Sequence, residues 1–479
     1  MTTAELFSVH GLQITNAVLI AAAFVWSFHR QRLYSILWGA LGAFHFVAYL
    51  DLLIDPSFTT PDIVIRGQGI ILLGNVALLL TLLLFDQGPL SIEPSQLKRP
   101  PPKLYGVDTP AARRYLLVMA AGAAVAMAIQ FKDGLSVVNT DWIEQRSIAD
   151  PYYLRPLSTM IGFACFSSLW VAIRKKQVAI TCLLALAVFV LFFLLGSRAM
   201  FTTIAGAIYL DLLTTRIKLP SKLTLLAMLS SVGYSMHVLL RVLRGLGLGG
   251  LISAALTGNL GAWLDGHHGM LGLGGEEGTY RTFYYVIDKD YQSYPYRSWV
   301  TPQRMAMIYV PSSSAGELKP RDITTQLWYD GFDDGFLNDS HDYEQLEKIA
   351  ATEIGGSIHP HLWGDAYANG HLPGVVVYGF GLGLIAVVVD RLFLRSTELS
   401  LFALAPCACV GYMFIARGSV VAGFGCVAFT LPIVVLFSML SGLPLLRKIA
   451  PPGGGTKIGG TVAGGSMPIG NSTQRAGQR

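Results

Sequence analysis

Charged side chains are scarce in this chain of 479 residues: Asp, Glu, Lys and Arg make up 14% of it, whereas hydrophobic residues make up 52%. The mean hydropathy is +0.50. This number of charges is too small to cover the surface of a large soluble domain. The composition therefore predicts an all-α polytopic membrane protein. The first ten residues also lack the basic region of a cleavable signal peptide, and we expect the first apolar run to act as the insertion signal.

Cysteine is rare as well, and all five cysteines fall within predicted membrane crossings. They are Cys165, Cys182, Cys407, Cys409 and Cys426. Because they lie inside crossings, no disulfide framework is expected in the outer loop. Cys407-Ala-Cys409 has neither a CxxC spacing nor a partner pair. We interpret them as packing residues.

Lys and Arg collect in short segments between the apolar runs. The clearly basic segments are residues 30–32, 98–114, 174–176, 216–222 and 447–448, with a weaker one at 391–395. Because Lys and Arg gather on the cytoplasmic side of membrane proteins, these segments are expected to face inward. The net charge of +5 follows from them and gives no reason to expect a nucleic-acid partner.

Placing every basic segment inside requires eleven crossings, with the N-terminus outside and the C-terminus inside. The crossings are predicted near residues 10–28, 34–54, 67–85, 115–131, 157–173, 178–195, 199–214, 223–240, 372–389, 399–415 and 420–440. Each is close to the 20 apolar residues that span a bilayer.

These crossings divide the chain into six segments. They are a three-helix membrane segment (1–85), a Pro-rich cytoplasmic loop (86–114), crossings four to eight (115–240), a long outer loop (241–371), crossings nine to eleven (372–440) and a cytoplasmic tail (441–479). The Gly, Ser and Thr content of the tail predicts disorder. The long outer loop is rich in Trp, Tyr and Phe, which favours an ordered and functional segment.

Two arginines lie at similar hairpin tips between apolar runs. The sequence reads Gly-Ser-Arg at residues 196–198 and Arg-Gly-Ser at 417–419. The basic segments alone set the orientation, and it places Arg198 and Arg417 on the outer face. An arginine near a membrane surface can simply extend to lipid headgroups. Lys and Arg are less common on the outer face, so two arginines at similar outer tips indicate an anion site.

The order of elements along residues 178–440 resembles the Wzy-type O-antigen and exopolysaccharide polymerases. After the Gly-Ser-Arg tip comes a long outer loop with Pro311 and then Lys319-Pro320. An Asp-Ala-Tyr-Ala-Asn-Gly element at residues 365–370 then enters a Gly-rich crossing, and the Arg-Gly-Ser tip follows. The sequence departs from the family in having Asp365 where Glu is commoner, and Ser-Ser-Ser after Pro311 where Arg often stands.

The resemblance implies a lipid-sugar-dependent glycosyltransferase of GT-C-like architecture in the cytoplasmic membrane of a bacterium. Its substrate would be an oligosaccharide linked to undecaprenyl pyrophosphate, and the growing glycan would pass to the next lipid-linked unit at the outer face. The implied partners are this lipid-linked oligosaccharide, membrane lipid, a chain-length regulator and a flippase. No cofactor and no nucleic acid are implied.

Residue chemistry suggests a role for each candidate. Guanidinium groups match the oxygens of a pyrophosphate leaving group, so the pyrophosphate-binding candidates are Arg198, Arg417, Arg241 and Arg244. A general base must reach an acceptor hydroxyl, and the candidates for this catalytic role are His361, Asp365 and Glu276, with His359 and Glu277 also possible; the sequence does not rank them.

Aromatic, amide and basic side chains of the outer loop could hold sugar rings. The glycan-binding candidates are Tyr280, Arg281, Lys319, Tyr367 and Asn369. The Tyr-rich stretch at residues 280–296 is equally compatible with an interfacial aromatic belt. Around His359-Pro360-His361 no further ligands stand at suitable spacing, so no metal site is expected.

Two other functions share parts of this pattern. An O-antigen ligase would use the same lipid donor, arginines and outer loop. A lipid-linked oligosaccharide flippase should carry charges within several crossings, whereas residues 178–195 carry none. A noncatalytic scaffold leaves the outward arginines unexplained.

Overall fold

The computed structural model describes residues 3–54, 59–87, 110–130, 161, 164–165, 179, 198–214, 218–259, 277–289, 299–310, 314, 318–333, 359–394 and 404–442. All of these residues belong to one folded unit, Met1–Leu445, and no strand occurs among them. The second unit, Leu446–Arg479, lies outside the described residues and carries most of the predicted tail.

The helices in this part of the chain are numbered in order. They are α1 (Thr3–His29), α2 (Ser35–Ile54), α3 (Pro61–Gln87), α4 (Pro110–Gln130), α5 (Arg198–Thr214), α6 (Leu219–Leu256), α7 (Glu277–Asp288), α8 (Val300–Ala306), α9 (Ile323–Asp333), α10 (His361–Leu394), α11 (Ala405–Arg417) and α12 (Val420–Leu440).

In the described part of the chain, four helices are long and apolar enough to cross a membrane. These spans are Val9–His29, Pro61–Asp86, His361–Leu392 and Val420–Leu440, and two shorter apolar helices are Ser35–Phe46 and Ala405–Arg417. The chain is therefore a helical membrane protein, and the predicted helical class is confirmed. The predicted crossings at residues 157–173 and 178–195 lie almost entirely outside the described residues.

Helix α6 differs from its predicted crossing at 223–240. It continues without interruption to Leu256, so Arg241 and Arg244 lie within a helix and not at the start of a loop. The glycines at 245–250 suggested an end to the crossing, but glycine is frequent inside membrane helices and does not by itself end one.

Close packing of α3 against α10 forms the centre of the fold. A Cβ atom on Gly74 would lie 2.4 Å from the Trp363 ring, and one on Gly379 would lie 2.7 Å from the Ala77 Cβ. Small residues let membrane helices approach this closely. The Trp363 indole N–H donates to Asn75 Oδ1 over 3.0 Å, which satisfies a buried polar group at the contact. The position of α10 is thus fixed by α3.

A buried ion-pair network closes one end of the bundle. Arg32 lies between two carboxylates, 2.8 Å from Asp86 and 3.5 Å from Asp390, and all three side chains are at most 3% exposed. The Leu33 backbone N–H also donates to Asp390. We call Arg32, Asp86 and Asp390 the Arg32 cluster. It joins the α1–α2 turn to the ends of α3 and α10, next to two of the segments predicted to face inward, 30–32 and 391–395.

Helix α10 folds back on itself as a hairpin. Gly370 (φ −165°, ψ 24°) and His371 (φ 54°, ψ −147°) are not helical. A Cβ on Gly374 would lie 2.5 Å from the Ala366 carbonyl oxygen, a contact that a straight helix cannot make across eight positions. Residues 361–369 therefore run antiparallel to residues 372–394. The second half of the hairpin includes the predicted crossing at 372–389.

Candidate functional site

Unusual backbone conformations gather around the α10 hairpin. Among the described residues, four that are not glycine have positive φ: Gln31, Trp299, His361 and His371. Trp299, His361 and His371 all belong to the hairpin or contact it. Each such conformation costs about 1–3 kcal/mol and these conformations concentrate at functional sites. The hairpin is therefore the best candidate for a functional site.

Asp365 anchors the first half of the hairpin to α8. The Thr301 hydroxyl donates to one carboxylate oxygen of Asp365 over 3.3 Å. The Asn369 side-chain amide donates to the other over 3.1 Å, while the Asn369 amide oxygen accepts the Thr301 backbone N–H over 2.9 Å. Asp365 and Asn369 are almost completely buried. Both carboxylate oxygens thus have protein donors, which suits a positioning role.

Trp299 completes the hairpin turn. Its backbone N–H donates to the Asn369 carbonyl oxygen over 3.0 Å. Its ring lies so close to Gly370 that a Cβ there would be 3.3 Å from it. The last carbonyls of a helix have no partner within the helix, so the outer segment supplies the missing donor.

His361 is packed into the protein interior. Its ring centroid lies 5.1 Å from that of Tyr280 and 5.8 Å from that of Phe283, both on α7. His361 and Tyr280 are each at most 1% exposed. Here Tyr280 packs the site and does not present its ring to a sugar, and the His361 ring is not open to an acceptor.

The Arg-Gly-Ser tip between α11 and α12 contacts the start of this hairpin. Ser419 Oγ lies 2.6 Å from His359 Nδ1. Gly418 has φ +94°, and a Cβ on it would lie 2.7–2.8 Å from the His361 backbone. Desolvation and the nearby Arg417 guanidinium lower the pKa of His359 well below its usual range. We call Arg417, Gly418, Ser419 and His359 the tip site.

The backbone places Arg198 on the same side as the tip site. Helices α5 and α11 cross where Gly206 lies against Pro406 and Cys409. Later in α5, Tyr209 bonds Ser35 beside the Arg32 cluster, so α5 starts at the opposite side. At about 1.5 Å per residue, Arg198 and Arg417 each lie about 12 Å beyond the crossing. The Arg198 side chain lies outside the described part of the structure.

The tip site is recessed below the end of α3. With about 1.5 Å per helical residue, Gly74 lies about 18 Å and Arg66 about 30 Å from Asp86 along α3. Trp363, two residues after His361, lies at the level of Gly74. His361 contacts the tip and Tyr367 contacts Arg66, so the tip site and Arg66 lie at the two ends of the first half of the hairpin. We call the end of the bundle at Arg66 the outer end.

Arg66 is a candidate that the sequence interpretation missed. Its guanidinium donates to the Tyr367 hydroxyl over 2.8 Å, and its side chain is exposed. Tyr367 itself is 3% exposed, so it holds Arg66 and does not line an open surface. The available signal was an arginine next to the third crossing on the outward face, the same signal that singled out Arg198.

The segment around Lys319 is held by Arg304. This guanidinium lies 3.5 Å from Asp322 and donates to the Pro320 carbonyl oxygen over 2.6 Å. The Lys319 ammonium donates to the Val310 carbonyl oxygen. Lys319 and Pro320 are therefore tied to the residues at and just after α8, and α8 is bonded to the hairpin. Pro311 lies outside the described residues.

The remaining candidate residues are Arg281, Glu276, Arg241 and Arg244. Arg281 is half-buried on α7. Glu276, together with the side chains of Arg241 and Arg244, lies outside the described part of the structure. Within that part, no group of three or more His, Cys, Asp or Glu side chains could hold a metal ion.

Comparison with known proteins finds no matching family model, no matching curated protein and no matching solved structure. We therefore base the functional proposal on the geometry of the hairpin and the tip site together with the sequence resemblance.

Gly418 offers a direct test of the tip geometry. Gly418→Ala forces an alanine into the left-handed conformation, which costs about 1–2 kcal/mol of stability. Its methyl group also overlaps the His361 backbone, which costs about a further 1–3 kcal/mol. The matched control is Gly258→Ala, because Gly258 has φ +71° and nothing within 4 Å of a Cβ. Thermal unfolding in detergent should show a clearly larger loss for Gly418→Ala. Equal losses would contradict the contact between tip and hairpin.

Proposed function

We propose that this protein polymerises lipid-pyrophosphate-linked oligosaccharide repeat units at the outer face of a bacterial cytoplasmic membrane. It would do so as a GT-C-like glycosyltransferase with eleven crossings. The observation that supports this best is the contact between the Arg-Gly-Ser tip and the hairpin that carries Asp365, Tyr367 and Asn369. These are the two elements nearest the C-terminus in the resemblance, and their contact places Arg417 beside His359.

In the proposed reaction, Arg417 and Arg198 bind the pyrophosphate of the donor. The bond between the anomeric carbon and the pyrophosphate oxygen breaks, and undecaprenyl pyrophosphate leaves with the electron pair. A new bond forms between that carbon and an acceptor hydroxyl oxygen. Preorganised guanidinium groups stabilise the charge that develops on the leaving group, which is how such donors accelerate a transfer.

His359 is the general base that the geometry favours among the candidates. Its side chain is half-buried, whereas those of His361 and Asp365 are almost completely buried. Desolvation and the Arg417 guanidinium lower its pKa, which favours the neutral ring that can accept a proton. When Nδ1–H donates to Ser419 Oγ, the lone pair of Nε2 is available as the base. His361 and Asp365, buried and engaged with protein groups, act as positioning residues. Lys319 and Arg281 remain the candidates to contact the glycan.

An O-antigen ligase is the nearest alternative, since it would use the same donor and the same arginines. A flippase is less favoured, because it should carry charged residues within several crossings. In the described spans, the buried charges Asp86 and Asp390 lie near helix ends, and Asp365 lies in the hairpin.

The decisive experiment supplies purified protein in liposomes with a lipid-pyrophosphate-linked repeat unit and no nucleotide sugar. A ladder of products at repeat-unit spacing is expected, and it should persist in EDTA. If only the starting unit remains, with protein folded and substrate intact, polymerase activity is contradicted. Adding a lipid A core acceptor to the same liposomes then tests the ligase alternative.

A further inference from the structure

The outer end of α3 carries an arginine at the top of its lipid-facing stripe. At about 100° per residue, the exposed residues of this helix fall on one side of it, within about 80° of one another. They are Asp62, Arg66, Val76, Leu80 and Leu84. The apolar members face the hydrocarbon, and Arg66 lies about 30 Å from Asp86, close to the thickness of the hydrocarbon core. Arg66 is thus at the level of lipid headgroups.

Helix α10 adds a second exposed strip beside the first. Leu372, Val376 and Phe380 are each more than 40% exposed. Phe380 lies 5.9 Å from Phe85 of α3, measured between ring centroids, so the two strips adjoin. Together they form an apolar surface long enough to contact a polyprenyl chain.

A polar cluster lies at the outer end of this surface. Tyr367 binds Arg66 through its hydroxyl, and its ring centroid is 5.3 Å from that of His371, which is exposed at the hairpin turn. A guanidinium held by a buried tyrosine, with an imidazole packed against the same tyrosine ring, is suited to a phosphate group. We call Arg66, Tyr367 and His371 the Arg66 cluster.

We propose that the Arg66 cluster binds the pyrophosphate of the acceptor, a second polyprenyl-linked glycan. This inference rests on the proposed function, because a polymerase must hold two lipid-linked pyrophosphates at once. The donor pyrophosphate occupies the recessed tip site, where its bond breaks. The attacking hydroxyl of the acceptor lies at the non-reducing end, an oligosaccharide away from its own pyrophosphate. A second anion site at headgroup level, offset from the tip site, meets that requirement.

Asp62 lies one helical turn before Arg66 on the same face. Its carboxylate opposes the binding of an anion at this point. Removing that charge with Asp62→Asn should therefore tighten binding at the Arg66 cluster, whereas Tyr367→Phe, which keeps the ring but loses the bond that holds Arg66, should weaken it.

The test titrates undecaprenyl pyrophosphate, without glycan, onto the purified full-length protein and counts bound copies by native mass spectrometry. Wild type should bind two copies, and Arg66→Ala should bind one tightly while the second weakens about 10- to 100-fold. Arg417→Ala should lose the other copy. Arg113→Ala is the matched control, an exposed arginine near the start of α4, and it should bind two.

Two further arms identify the ligand and separate the proposals. Undecaprenol should not bind at the Arg66 cluster, and phosphatidylglycerol should not displace the second copy. Displacement at comparable concentration would show an ordinary headgroup site and overturn the inference, as would two tight copies on Arg66→Ala. A third outcome is that the variants change the number of bound lipid copies as expected while the liposomes yield no ladder. That result would contradict the proposed polymerase activity and support the Arg66 site.

Discussion

Replacing Arg417 with alanine should abolish the product ladder in liposomes while the protein still inserts and reaches normal abundance. The guanidinium lies at the tip beside His359, where we place the departing pyrophosphate. Loss of one preorganised charge donor typically reduces turnover about 10²- to 10³-fold. Arg417→Lys keeps the charge but lacks the planar fork, so it should restore only part of the activity. Arg198→Ala should behave like Arg417→Ala.

Arg113→Ala is the control for this experiment, since Arg113 is exposed and α4 begins at the other end of the bundle. It should produce a normal ladder. Full-length glycan from both Arg417→Ala and Arg198→Ala would show that neither guanidinium stabilises the leaving group, and the anion-site interpretation would fail.

The second large effect is expected on stability and not on chemistry. Arg32→Met leaves Asp86 and Asp390 buried without their shared cation, and breaking a buried ion pair in this way costs about 3–5 kcal/mol. Arg30→Met is the matched comparison. Arg30 is 40% exposed and 3.9 Å from Asp86, so its loss should cost at most about 1 kcal/mol.

Unfolding in detergent micelles measures both variants. The triple variant Arg32→Met, Asp86→Asn, Asp390→Asn removes the uncompensated charges and should recover much of the lost stability. Similar midpoints for Arg32→Met and Arg30→Met would mean that the Arg32 cluster contributes no more than an exposed pair.

The helical membrane class and the position of Arg417 at a tip were predictable because both depend on local patterns. Long apolar runs identify the crossings, and Arg-Gly-Ser interrupts one of them. The Arg32 cluster leaves no such pattern, because Arg32 and Asp390 are 358 positions apart. Charge bias in the loops predicts which segments face inward, but it does not reveal which acids they contact.

The first half of the α10 hairpin could not be predicted from its own residues. Asp365, Tyr367 and Asn369 make residues 361–369 look like the end of a polar loop. Their hydrogen-bond partners lie far away in the chain, with Thr301 68 positions from Asn369. Only those partners make a buried helix of such polar residues stable.

The hairpin also constrains the order in which the chain can be assembled during synthesis. Trp299 and Thr301 leave the ribosome before Asp365 and Asn369, so the groups that will satisfy the hairpin are made first. The hairpin then packs against a segment that has already been synthesised. Its polar groups need not enter the lipid without hydrogen-bond partners, which would be costly. A circular permutant that synthesised residues 299–306 after α10 would lose this order, and insertion of its last helices would become inefficient.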